Sequence, residues 1–117
     1  MRPFITITSA LLIALGTTAA EAHAFLDHAE PRVGSTVQTA PREISLWFTQ
    51  ELEPAFSTVE VRNSAGAKVD QGKAQIHGLI MRVGLKPLPP GTYQVRWHVL
   101  SVDTHQTEGS FSFRVGQ

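Results

Sequence analysis

The 117-residue chain sets ten Lys and Arg against ten Asp and Glu, so its formal charge is zero, and it contains no cysteine. A neutral balance argues against a nucleic-acid or anionic-membrane partner, and the absence of thiols excludes disulfide staples and thiolate chemistry. The length suits one small domain.

Residues 1–22 read as a cleaved export signal. Met1-Arg2 gives a positive start, Phe4 to Leu15 is mostly apolar, and Ala20-Glu21-Ala22 offers small residues where a signal peptidase needs them. The apolar run is shorter than the roughly 20 residues that span a bilayer. Cleavage after Ala22 leaves a domain over residues 23–117 with His23 as its first residue. That domain holds no second run long enough to cross a membrane, so the expectation is an exported protein. Met81 is its one thioether, which leaves soft ligands for Cu(I) nearly absent.

In the domain, His23 to Ala29 reads as a first extended segment. Pro31 then ends easy pairing, since it has no N–H to donate, and Arg32 to Arg42, with Gly34, Ser35, Thr36 and Pro41, reads as a loop. Glu43 to Thr49 alternates, with Ile44, Leu46 and Phe48 on one face and Ser45, Trp47 and Thr49 on the other. After an interruption at Gln50 to Pro54, Ser57 to Asn63 resumes with Val59 and Val61 inward. Phe56 is out of phase with those valines, which predicts a bend or bulge near Ser57. A turn at Asn63-Ser64-Ala65-Gly66 precedes a short segment around Lys68-Val69.

Leu79, Met81, Val83 and Leu85 make the next alternating run. Lys86 to Gly91 breaks it. Thr92 to Val99 alternates most cleanly, with Tyr93, Val95, Trp97 and Val99 on one face and Gln94, Arg96 and His98 on the other, and Phe111, Phe113 and Val115 close the set. No ten-residue stretch of the domain holds a helical period. Short strands at regular spacing with Gly/Pro turns predict an all-β fold, a small Greek-key barrel or sandwich, cupredoxin-like or Ig-like.

The candidate chemistry lies in Ser101-Val102-Asp103-Thr104-His105 together with His23. If the chain stays extended past Val99, Asp103 and His105 point the same way, with Cα atoms about 6–7 Å apart, close enough to share an ion. An unmodified N-terminal His23 offers its α-amine and its ring nitrogen in one chelate, and the amine's reference pKa near 8 lets a metal displace its proton. Three nitrogens and an oxygen form a tetragonal set, the preference of Cu(II), with tetrahedral Zn(II) as the competitor. Among the other histidines, His98 lies outward beside Arg96, and His28 and His77 read as solvated loop or strand-end residues. Trp47 and Trp97 read as packing residues. Glu51 and Glu53 read as a solvated rim, with Glu51 a candidate weak ligand or acceptor near the ion.

From His23 to Gln117 the sequence resembles the CopC-type periplasmic copper-binding proteins. The resemblance rests on His23-Ala24, Pro31 with Gly34-Ser35-Thr36-Val37, Leu46-Trp47-Phe48-Thr49, Pro90-Gly91-Thr92-Tyr93 leading to Val95-Arg96-Trp97, and above all Val99 to His105 followed by Gly109-Ser110-Phe111-Ser112-Phe113. It implies a cupredoxin-like β-barrel that carries Cu(II) in the periplasm, in copper resistance or homeostasis, with His23, Asp103 and His105 as ligands. It also implies a membrane copper transporter of the CopD type, or a multicopper oxidase, as exchange partner. The chain departs from the pattern twice. Gln50 stands, followed by Glu51, where some members have a glutamate after the second-strand motif, and the Met-rich loop for Cu(I) found in some members is missing.

Two other classes fit parts of the pattern. A copper monooxygenase would share a histidine brace, but it needs an open coordination position that Asp103 would crowd. A metal-free partner-binding β-sandwich would share the fold and leave the donors unused.

Overall fold

The computed structural model describes residues 25–116. The expected export signal, its expected cleavage point and His23 lie outside them. Eight strands form two four-stranded sheets. They are β1 (Leu26–Glu30), β2 (Thr36–Val37), β3 (Glu43–Phe48), β4 (Thr58–Asn63), β5 (Asp70–His77), β6 (Ile80–Leu85), β7 (Gly91–Leu100) and β8 (Gln106–Val115). One sheet runs β1-β3-β6-β5 and the other β2-β8-β7-β4. The expected all-β architecture is present as a two-sheet sandwich, and no α-helix occurs among the described residues.

Period-2 alternation decides which side chains fill the space between the sheets. Ile44, Leu46 and Phe48 from β3 and Met81, Val83 and Leu85 from β6 face Val59 and Val61 from β4, Tyr93, Val95, Trp97 and Val99 from β7, and Phe111, Phe113 and Val115 from β8; all are buried. Sheets pack about 10 Å apart when such inner faces interdigitate. An aromatic ladder crosses this core: the Phe25 and Phe48 centroids are 5.6 Å apart, and Phe48 meets Trp97 edge-on at 5.3 Å. Gly109 makes room for Trp97, since a Cβ there would lie 2.6 Å from Trp97 Cζ2.

Several expectations change. The segment read as a loop from Arg32 to Arg42 contains β2, which pairs in parallel with β8 through Thr36 and Val37; two residues are too few to alternate. The stretch past Val69 is an eight-residue strand, β5. It hides in the sequence because it is an edge strand whose pairing shifts between Gln71 and Gln75, with Gly72 at φ 77°. Leu79 does not join its run inward. The strand starts at Ile80, and Leu79 is exposed in the tight β5–β6 turn. Near Ser57 the bend is a short 3₁₀ turn, Pro54–Phe56, which leaves Phe56 on the surface.

Trp47 and His28 meet on the surface of the first sheet. Trp47 packs on the outer face of its sheet, not in the core, where His28 of β1 stacks on it at 4.4 Å with 10° between the rings. His28 is therefore an exposed strand residue with an aromatic partner, and its Nδ1 lies 2.6 Å from Asp27 Oδ2. Trp97 is buried, as expected.

Candidate metal centre

β7 and β8 are joined by a turn at one end of the sandwich. Its folding depends on Ser101, which is fully buried. Ser101 N donates to His105 O at 2.9 Å, Thr104 N donates to Ser101 O at 2.9 Å, and His105 N donates to Ser101 Oγ at 3.2 Å. The chain is thus not extended through Asp103, as the sequence reading required. Thr104 sits at φ 74°, in the left-handed region, and reverses the chain in one step.

Asp103 and His105 still converge, by a different route. The turn brings His105 Nδ1 to 3.3 Å from Asp103 Oδ1. Two donors that each approach one transition-metal ion to about 2.0–2.1 Å at right angles stand about 3 Å apart, so this separation suits adjacent positions on one ion. Both face solvent, with side-chain exposures of 44% for Asp103 and 77% for His105. The Ser101 hydroxyl donates to Asp103 Oδ1. That bond is the largest cause holding the Asp103 carboxyl below its ordinary value; some desolvation opposes it, and His105 lowers it further. Asp103 is therefore ionised and ready to ligate across ordinary pH.

The β3–β4 loop is fastened to this turn. Val102 N donates to Glu51 O at 2.9 Å, Glu53 N donates to Leu100 O at 2.8 Å, and Leu52 bridges Ser101. Leu52 is buried between the two. Gln50, in the same loop, reaches Asp103. With its nitrogen toward the carboxylate, the amide donates to Oδ2 at 2.6 Å and lies 3.3 Å from Oδ1. At Thr49, one residue earlier, N donates to Phe25 O at 3.0 Å and the hydroxyl donates to the same oxygen at 3.3 Å. One loop thus touches the Asp103 turn and the first described residue of the chain.

Of the sequence-predicted donors, Asp103 and His105 meet, while His23 lies outside the described residues. Among the described residues no group of three or more His, Cys, Asp or Glu could hold a metal. His98 faces outward on β7, opposite Thr58 and Glu108. Glu51 serves the turn through its carbonyl. The sequence pattern assigns no role to Ser101 or Gln50. A serine two residues before the aspartate was a readable signal for the first. Nothing local announces the second, because its partner lies half the chain away. Clefts of about 650 Å³ between β4 and β5, and about 530 Å³ around Arg42, Gln71 and Lys86, are not lined by Asp103 or His105; the pair is a surface feature.

Fold and site together define a class: a small β-sandwich protein with an imidazole–carboxylate pair on the loops at one tip. Comparison with known proteins narrows it. The CopC domain matches residues 26–116. The chain is 34% identical over 109 residues to protein YobA of Escherichia coli K12, covering 90% of this chain and 88% of that one. It is 32% identical over 124 residues to copper resistance protein C of Xanthomonas campestris pv. juglandis, covering 97% and 96%. The crystal structure of CopC from Methylosinus trichosporium OB3b superposes with a TM-score of 0.70 at 32% identity, covering 80% of this chain and 94% of that one. The chain belongs to the CopC family.

Proposed function

We propose that this protein binds Cu(II) through the α-amine and imidazole of His23, the carboxylate of Asp103 and the imidazole of His105, and that it acts as a copper carrier or buffer in copper resistance. Export to the periplasm and cleavage after Ala22 belong to the same reading, because an amine is available for chelation only once His23 begins the chain. The observation that carries it is the pair of donors 3.3 Å apart on a turn prebuilt by Ser101.

The path to the third ligand is short. Phe25 O is held by Thr49, and the next residue, Gln50, touches Asp103. His23 is two residues before Phe25, and two residues of extended chain reach about 7 Å. A relative named copper resistance protein C supports copper as the cargo. Nitrogen and carboxylate donors hold Cu(II) better than Cu(I), which prefers thiolate and thioether. A membrane copper transporter of the CopD type, or a multicopper oxidase, is the proposed exchange partner. The role is binding and delivery, with no reaction catalysed.

The test is competition titration with Cu(II) on protein that begins at His23. Replacing His105 with Ala should weaken binding at least thirtyfold, since one of four donors is lost. Equal affinities for the two proteins would refute the assignment.

A further inference from the structure

We infer that Gln50 is a positioning residue for the copper site: its amide fixes the Asp103 carboxylate in the orientation that faces the ion. Its consequence for copper rests on the function proposed above, while the contact itself belongs to the metal-free protein.

The argument starts from what holds a surface carboxylate still. The outer torsion of an aspartate is broad and nearly two-fold, and Asp103 is 44% exposed. The Ser101 hydroxyl restrains Oδ1 alone, which leaves the carboxylate free to swing about that bond. A second donor on the other oxygen removes the swing. The Gln50 amide meets Oδ2 at 2.6 Å. The nitrogen must be the atom that faces it, because an amide oxygen at that distance would oppose one acceptor to another. A carboxylate offers about four lone-pair sites, so both oxygens keep capacity for an ion.

Gln50 is itself held on both sides. Thr49 before it binds Phe25 O, and Glu51 after it accepts from Val102 N at 2.9 Å. A side chain on so restrained a backbone can act as a strut between the first strand and the β7–β8 turn. It is also neutral. A glutamate of the same shape would set a second carboxylate about where the amide now stands, within hydrogen-bond distance of Asp103. The amide supports the ligand without adding charge, so Asp103 remains the single anionic donor of the proposed set.

Two measurements test this. In metal-free ¹⁵N-labelled protein, Asp103→Ala should displace the Gln50 side-chain amide resonances strongly, while Glu108→Gln leaves them in place. With copper, Gln50→Met, which keeps the length and removes the donor, should weaken Cu(II) binding about tenfold, the scale of one lost hydrogen bond to a charged group. It should also change the parallel copper hyperfine splitting in the EPR spectrum, with little change in the melting temperature of the metal-free protein. Gln50 resonances indifferent to Asp103→Ala overturn the proposal by themselves. So does a Gln50→Met protein that binds within twofold of wild type with an unchanged spectrum. Equal copper affinity of wild type and His105→Ala overturns the copper reading and the copper arm with it, and the resonance experiment separates that outcome from a missing contact.

Discussion

Asp103 and His105 hang from a hairpin whose strands are ten residues each and pair without interruption from Gly91–Val115 to Leu100–Gln106. The N-terminal strand is five residues long, and its register against β3 shifts between Leu26 and His28. One half of the proposed site is thus prepared by local, continuous hydrogen bonding and needs no metal to form. The other half depends on Phe25 packed on Phe48 and on one carbonyl held by Thr49. Affinity should therefore respond most to changes on the N-terminal side. A bound ion would fasten the first strand to the last hairpin and stabilise the fold by mass action.

The sharpest way to break the comparison is to add one residue before His23. The α-amine becomes an amide and one chelate ring is lost, so the dissociation constant for Cu(II) should rise at least a hundredfold with the fold unchanged. Competition titration of a Met-His23 protein beside one that begins at His23 measures this; equal constants would remove the N-terminus from the proposed site.

Phe25→Ala comes next. It should destabilise the metal-free protein by about 3 kcal/mol in urea unfolding and weaken copper binding too, because it loosens the strand that follows the proposed terminal donor. A stability loss with copper affinity intact would separate the strand from the site.

The hairpin half can be probed by pH. The lowered pKa of Asp103 means that its contribution to metal-free stability is complete above the ordinary carboxylate value of 3.8 and is lost only as pH falls through the lowered folded value. Asp103 should then take up no proton when copper is released between pH 7 and 5. Asp103→Asn should weaken binding yet leave the slope of log Kd against pH unchanged over that range. A changed slope would assign the proton to Asp103.

The smallest effect belongs to Met81. It is fully buried on β6 and cannot reach an ion at the tip. Met81→Leu should leave Cu(II) and Cu(I) affinities alone and cost less than about 1.5 kcal/mol, by the same titrations and unfolding curves.

How much of this was readable in the sequence differs along the chain. β3, β6, β7 and the end of β8 could be read because each buries one face, and alternation records that directly. β5 could not, since Gln71-Gly72-Lys73-Ala74 lies on an exposed, shifted edge where no face is selected. For the site, the sequence pairs Asp103 with His105 through an extended backbone, whereas a turn closed by Ser101 is what brings them together. The Gln50 contact could not be inferred, because it is made between loops that only the packing of the two sheets brings together.

Thr104 carries a consequence of its own. A β-branched residue in left-handed backbone is costly, on the order of 1–3 kcal/mol, and here the tension is confined to one residue between the two donors. Glycine would relax that joint and firm up the scaffold as a whole. It would also let the carboxylate and the ring wander apart, so one substitution would make the protein sturdier and its grip on the ion poorer.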